Sequence, residues 1–104
     1  MLTIAQIQEA VSDAAKRYND GVDQDKFIAS IELFGSYAEG RATETSDIDL
    51  IVEFAQPMVS LFTLASVLDV MEQATGKPVD LVQRPFPDDM LLEIDTTVKL
   101  YAAA

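Results

Sequence analysis

Gly35-Ser36-Tyr37-Ala38-Glu39-Gly40-Arg41-Ala42-Thr43-Glu44-Thr45-Ser46-Asp47-Ile48-Asp49-Leu50 joins two apolar runs through a turn, and the reading of those runs decides the fold. On the far side, Asp47-Ile48-Asp49-Leu50-Ile51-Val52-Glu53-Phe54 alternates apolar with other residues from Ile48 to Phe54. That is the period of a strand, so Asp47 and Asp49 are expected on one face. Their Cα atoms would lie about 6.5 Å apart, a spacing at which two carboxylates hold one divalent cation or a close pair. On the near side, Phe27-Ile28-Ala29-Ser30-Ile31-Glu32-Leu33-Phe34 is rich in β-branched and aromatic residues and reads as a strand that delivers Gly35-Ser36 at its end. Gly35 takes backbone angles that other residues avoid. Ser36 is expected to cap a short helical piece, Tyr37-Ala38-Glu39, that Gly40 stops, with its N–H groups turned outward toward an anion.

The rest of the chain supplies helices around these strands. Thr3 followed by Gln6 is a capping-box pairing, and Ile4, Ile7, Val11, Ala14 and Ala15 recur at helical spacing, so a helix is expected from about Leu2 to Tyr18, ended by Asn19-Asp20-Gly21. Gln56-Pro57 breaks the next strand. Ser60 then caps a helix with Leu61, Leu64, Ala65, Leu68 and Met71 on one face, closed by Gly76-Lys77-Pro78. Val79-Asp80-Leu81-Val82-Gln83 reads as a third strand with Asp80 facing away from Val79 and Leu81. Asp88 and Asp89 open a short helix through Ile94, Val98-Lys99-Leu100-Tyr101 makes a last edge strand, and Ala102-Ala103-Ala104 has no side chains to anchor it. Alternating helices and strands predict an α/β or α+β domain with helices covering one sheet.

Composition narrows the chemistry. A chain of 104 residues leaves room for one domain, residues 1–104, burying about two-thirds of its unfolded surface. With no cysteine and no histidine, disulfides, thiolate metal sites and His-based acid–base catalysis are excluded. Carboxylates remain as ligands and bases, and hard oxygen donors suit Mg²⁺ or Mn²⁺. The 18 acidic against 7 basic residues give a net charge of −11, which repels phosphate backbones, argues against direct nucleic-acid binding and makes a basic protein partner the expectation. The apolar runs fall short of the roughly 20 residues that cross a membrane, and no signal-peptide pattern opens the chain, so a cytoplasmic address is expected.

Any one of Asp47, Asp49 and Asp80 is adequately read as a loop-end cap or a solvated group. Their combination is harder to dismiss. At an effective dielectric near 20, two carboxylates about 7 Å apart repel by about 2 kcal/mol, and a divalent cation reverses the sign. Three acids on neighbouring strands beside a strand-end Gly-Ser outline a Mg²⁺ site next to a phosphate cradle, as two-metal phosphoryl transfer requires.

Gly35-Ser36, the ten-residue spacer, Asp47-Ile48-Asp49 and the later Asp80 resemble the signature of the DNA polymerase β-type nucleotidyltransferase superfamily, and among its members the minimal, MNT-type proteins. The similarity runs from Leu33-Phe34-Gly35-Ser36 through Ser46-Asp47-Ile48-Asp49-Leu50-Ile51-Val52 to Val79-Asp80-Leu81-Val82. It implies a nucleotidyltransferase fold with a small mixed sheet covered by helices. It also implies a reaction of a nucleoside triphosphate with an acceptor hydroxyl that releases pyrophosphate, with Mg²⁺ (or Mn²⁺) as cofactor and ATP as substrate. Under this resemblance Asp47 and Asp49 hold the metals, Asp80 completes the metal site and helps deprotonate the acceptor, and Gly35 and Ser36 hold the β- and γ-phosphates. Arg41 is open to two readings, a phosphate contact or a helix-end salt bridge. Many relatives carry a basic residue just after Gly-Ser and often another two positions on, where this chain has Tyr37 and Glu39. MNT-type proteins are often antitoxins paired with an α-helical HEPN-type toxin, an RNase, and some transfer AMP to a tyrosine of that toxin. The resemblance therefore implies protein adenylylation of a HEPN partner. The alternatives are an antitoxin that acts by occlusion alone and a stand-alone small-molecule nucleotidyltransferase, although the latter generally carry a further acceptor-binding domain.

Overall fold

Alternate burial along one strand orders the molecule. Ile48, Leu50, Val52 and Phe54 are buried, while Asp49 and Glu53 lie on the opposite face. The structure, a computed structural model, describes residues 1–85, 94 and 96–103. Its elements run α1 (Ile4–Asp20), β1 (Ile28–Phe34), α2 (Gly35–Ala38), β2 (Ile48–Phe54), α3 (Leu61–Thr75), β3 (Val79–Arg84) and β4 (Val98–Ala102), with a 3-10 turn at Gln24–Lys26. The four strands form one mixed sheet in the order β3-β2-β1-β4. β1 pairs antiparallel with both β2 and β4, and β2 pairs parallel with β3, the connection that α3 makes possible. This is the mixed α/β architecture expected from the sequence.

The core lies on the helix-covered face. Ile7, Val11, Ala14 and Ala15 of α1 and Val67 and Met71 of α3 join Ile31, Leu33, Leu50 and Val52 of the sheet in one buried cluster. Both helices start where their cap residues stand. Thr3 and Gln6 close the capping box, with Gln6 N donating to Thr3 Oγ1 at 3.1 Å and Thr3 N to Gln6 Oε1 at 2.9 Å. Thr63 N donates to Ser60 Oγ at 3.1 Å, and α3 ends on Gly76, whose φ of 70° is left-handed. α1 runs through Asn19 and Asp20, two residues beyond its expected end, because Asn19 is fixed by tertiary bonds. Its amide donates to the Ile28 carbonyl at 3.0 Å and to the Tyr101 hydroxyl at 3.1 Å, and its Oδ1 accepts from Ile28 N at 2.8 Å. Ala102 and Ala103 are better held than expected, since Ala102 belongs to β4 and Ala103 N donates to the Ala29 carbonyl at 2.8 Å. The short helix expected from Asp88 to Ile94 falls largely outside the described residues.

On the other face of the sheet an ion pair spans the central strand. Arg84 Nη2 meets Glu32 Oε2 at 2.8 Å across β2, and Ile51, which pairs with Glu32 in register, is only 1% exposed. Asp49 lies on this same face, two register pairs nearer the Gly-Ser turn.

Candidate active site

The end of β1 and the start of β2 meet at the turn. Phe34 pairs with Asp49 in register, and the next residue, Gly35, opens α2 with a φ of 71°. A Cβ on Gly35 would run into Asp49 Oδ2 and lie 2.9 Å from Asp49 Cγ, so only glycine lets the turn close over this carboxylate. The expected capping geometry is corrected here. Phe34 occupies the cap position, with no side-chain cap bond, and Ser36 lies inside the turn. The first N–H groups of a helical turn have no acceptor within it, whichever residue caps it. Gly40, with a φ of 76°, stops the turn as expected, and Arg41 N folds back onto the Ser36 carbonyl at 2.8 Å.

β2 and β3 set Asp49 and Asp80 directly opposite each other in parallel register, which puts their Cα atoms about 4.8 Å apart. The strain of that arrangement is visible in Asp49. Its carboxyl is pushed up to about 6, first by burial, then by a hydrogen bond and charge repulsion from Asp80, and last by the charge of Asp47. Asp47 is not in the strand. β2 begins at Ile48, whose N–H donates to the Pro78 carbonyl at 3.0 Å, and a turn closed by Thr43 N to Ser46 Oγ at 2.8 Å and Ser46 N to Thr43 O at 3.1 Å leaves Asp47 exposed on the incoming loop. Asp47 thus stands one residue ahead of the strand on which it was expected, the register sets Asp49 opposite Asp80, and the charge of Asp47 is felt at Asp49. Among the described residues no three carboxylates stand gathered as a ready-made ligand set. The donor chemistry fits a hard divalent cation all the same, since two like charges held in register are unfavourable without one.

Arg41 makes a two-nitrogen contact with one oxygen of Glu39, Nε at 3.1 Å and Nη2 at 2.9 Å, so of its two readings the structure shows the salt bridge. Tyr37 does not stand beside the cradle as a substitute for a basic side chain. Its ring is only 4% exposed and belongs to the main core, and its hydroxyl has no hydrogen-bond partner among the described residues. Lys77 links two of the segments that carry these residues. Its Nζ lies 5.9 Å from the centroid of the Tyr37 ring and donates to the Glu44 carbonyl at 2.9 Å, tying the α3–β3 turn to the loop that carries Asp47. Its sequence signal was its place, directly ahead of Pro78-Val79-Asp80. A groove of about 330 Å³ between α3 and β3 has Asp80 in its wall. A larger cavity of about 410 Å³ between α1 and α3 contains none of these residues.

Residues 15–99 match the nucleotidyltransferase domain family. A protein of Methanocaldococcus jannaschii is 36% identical over 86 residues, covering 81% of each chain. The protein adenylyltransferase MntA of Thermococcus cleftensis is 31% identical over 84 residues, covering 81% of this chain and 80% of its own. Among solved structures, a toxin–antitoxin with AMP-PNP aligns with a TM-score of 0.69 at 22% identity, over 92% of this chain and 73% of that one. A tri-AMPylated Shewanella oneidensis HEPN toxin in complex with an MNT antitoxin aligns with a TM-score of 0.61 at 21% identity, over 93% and 73%. At those identities the two structures speak for the fold. Because the family match runs from α1 into β4 and the sequence relatives align over 81% of the chain, this protein belongs to the nucleotidyltransferase domain family and is a nucleotidyltransferase.

Proposed function

We propose that this chain is an antitoxin that transfers AMP from ATP to a tyrosine hydroxyl of a HEPN-type toxin, with Mg²⁺ or Mn²⁺ as cofactor. The observation that carries the reading is the register pair Asp49–Asp80, with Gly35 closed onto Asp49 and the first N–H groups of α2 beside it. Support for the acceptor comes from the relative named a protein adenylyltransferase and from the structural neighbour whose HEPN toxin carries AMP. A carboxylate pair in repulsion next to helix N–H groups suits a metal–triphosphate, in which cation and anion are bound side by side.

In this reading Asp47, Asp49 and Asp80 hold the metal, which, when bound, neutralises triphosphate charge and stabilises the charge that develops on transfer. Gly35 and the backbone of Ser36 hold the β- and γ-phosphates, and the Ser36 hydroxyl adds one hydrogen bond. Asp80, the more exposed of the pair, takes the proton from the acceptor hydroxyl. The acceptor oxygen bonds to the α-phosphorus, the bond to the β-phosphate bridge breaks, and pyrophosphate leaves. Arg41 reaches a phosphate only by exchanging Glu39 for it.

A second reading, neutralisation by occlusion alone, is favoured by one observation, that the positions just after Gly-Ser hold a buried Tyr37 and an acidic Glu39 bound to Arg41. One experiment separates the two. Wild type and the variant Asp47→Asn/Asp49→Asn are each incubated with the HEPN-type partner, ATP and Mg²⁺. The partner is then separated, weighed by mass spectrometry and assayed for RNase activity. Adenylylation predicts an added AMP residue on the partner and lasting inhibition after the wild type only. Equal, reversible inhibition by both proteins, without added mass, leaves occlusion and overturns the transfer reading.

A further inference from the structure

Three of the largest apolar side chains of the chain stand nearly bare in water at the entry to α3: Met58 is 88% exposed, Leu61 83% and Phe62 88%. Scattered surface apolar residues are ordinary, but three within five residues form a patch that a soluble surface tends to avoid. The helix does not need them. Its buried contacts come from Thr63, Val67 and Met71, and its cap from Ser60. Leu61 also lines the groove that continues along α3 past Leu64 and Leu68 to Leu81 and Asp80 of β3. The apolar strip therefore begins at Leu61 of the patch and ends at Asp80.

We infer that the Met58–Leu61–Phe62 patch and its groove are the docking surface for the acceptor protein, a partner that inserts an apolar side chain framed by lysine or arginine. The inference rests on the proposed transfer to a protein hydroxyl. Two observations fix the occupant. Because Asp80 is in the groove wall, whatever fills the groove lies against the residue that takes the acceptor proton. Charge decides between a foreign partner and a second copy. No lysine or arginine occurs between Arg41 and Lys77, while Glu44, Asp47, Asp49, Glu53, Asp69 and Glu72 all fall in that stretch. A second copy, itself at −11, would bring like charge to a segment that has no basic residue and to a groove whose one charged wall residue is Asp80, whereas a basic partner brings the opposite charge. Large apolar anchors ringed by complementary polar groups are also where interface energy concentrates.

The test uses wild type, the variant Met58→Ser/Leu61→Ser/Phe62→Ser, and Asp49→Asn, each titrated calorimetrically with the HEPN-type partner and each assayed for AMP transfer to it. The patch variant is expected to bind the partner about tenfold more weakly or worse, the scale of a lost hot spot. Its melting temperature should rise on adding ATP and Mg²⁺ as much as that of the wild type. Its transfer should recover when partner concentration is raised by the factor lost in affinity. Asp49→Asn should bind the partner as the wild type does and transfer nothing. Patch-variant affinity within about twofold of wild type, or a wild type that does not bind the partner, overturns the docking surface. A dimer of the chain alone in sedimentation equilibrium, lost in the patch variant, overturns it in favour of a second copy. Patch-dependent binding with no AMP transferred by the wild type leaves the surface standing and removes the transfer reading instead.

Discussion

Gly35 carries two constraints at once, a left-handed φ of 71° and a Cβ direction aimed at the Asp49 carboxylate. Gly35→Ala should cost about 1–3 kcal/mol in urea unfolding, the scale of one strained non-glycine residue, and should weaken the melting-temperature rise on adding ATP and Mg²⁺, because Asp49 must move. Asp49 itself makes a pH prediction with a definite sign. Its carboxyl titrates at about 6 in the folded chain against an ordinary value of 3.8, so the folded state holds the proton more tightly than the unfolded one. The contribution is fully present below the ordinary value and is lost as pH rises through about 6. In the absence of metal, the wild type should lose more stability than Asp49→Asn between pH 4 and 7, and added Mg²⁺ should shrink that difference. Unfolding midpoints at both pH values, with and without the cation, check it. Tyr37 gives the opposite kind of expectation. Removing its buried hydroxyl, which has no hydrogen-bond partner among the described residues, in Tyr37→Phe should leave stability unchanged or raise it by about 1 kcal/mol, read from the thermal midpoint. The sequence singles out Gly35, Asp49 and Asp80, and the structure sets Gly35 against Asp49 and Asp49 opposite Asp80. That Tyr37 points into the core was not legible there, because its place after Gly-Ser suggested the cradle while its burial depends on what packs beneath α2.

Elements were read well where local chemistry decides them and less well where partners do. The Thr3–Gln6 box and the Ser60 cap are local and stand as expected. Ser36 lies inside the turn instead of capping it because α2 already begins at Gly35, and Asp47 stands one residue ahead of β2 because the Thr43–Ser46 turn claims the residues before the strand. Lys77 shows the same limit, since nothing near it in sequence announces the Glu44 carbonyl 33 residues away that it bonds. Its contact is one of the links between the loop delivering Asp47 and the turn delivering Asp80. Lys77→Met should therefore loosen that loop, quickening hydrogen exchange at Ser46, and should lower metal–nucleotide affinity with little change in global stability. Slower or unchanged exchange at Ser46 would show that the turn's own bonds suffice. Asn19 supports the fold on a larger scale, joining the end of α1 to the first residue of β1 and to Tyr101 of β4. Asn19→Ala leaves the buried Ile28 backbone without its side-chain partner and should cost about 1–3 kcal/mol.

At the scale of the whole molecule, strand order was beyond the sequence, because the pairing of β4 with β1 joins residues far apart in the chain and no local pattern encodes it. Charge, by contrast, was fully legible. A net charge of −11 on 104 residues is a field as well as a composition, and the stretch from Ala42 to Gly76 contributes only acids to it. Two consequences of opposite sign follow from screening. The free chain repels itself, so added monovalent salt should stabilise it as the Debye length shrinks from about 30 Å at 0.01 M to about 8 Å at 0.15 M. A basic partner approaching the same surface is drawn in by that field, so its association rate should fall by about tenfold or more over the same range. Dissociation should change much less, because it is set by the apolar contacts of the docked state, which salt does not screen. Rapid-mixing association kinetics with the HEPN-type partner, run beside urea unfolding of the free chain in the same buffers, measure both arms. A salt-insensitive association rate alongside a salt-stabilised chain would mean that the acidic surface acts on the protein itself and not on its partner, and that capture depends on the apolar groove alone.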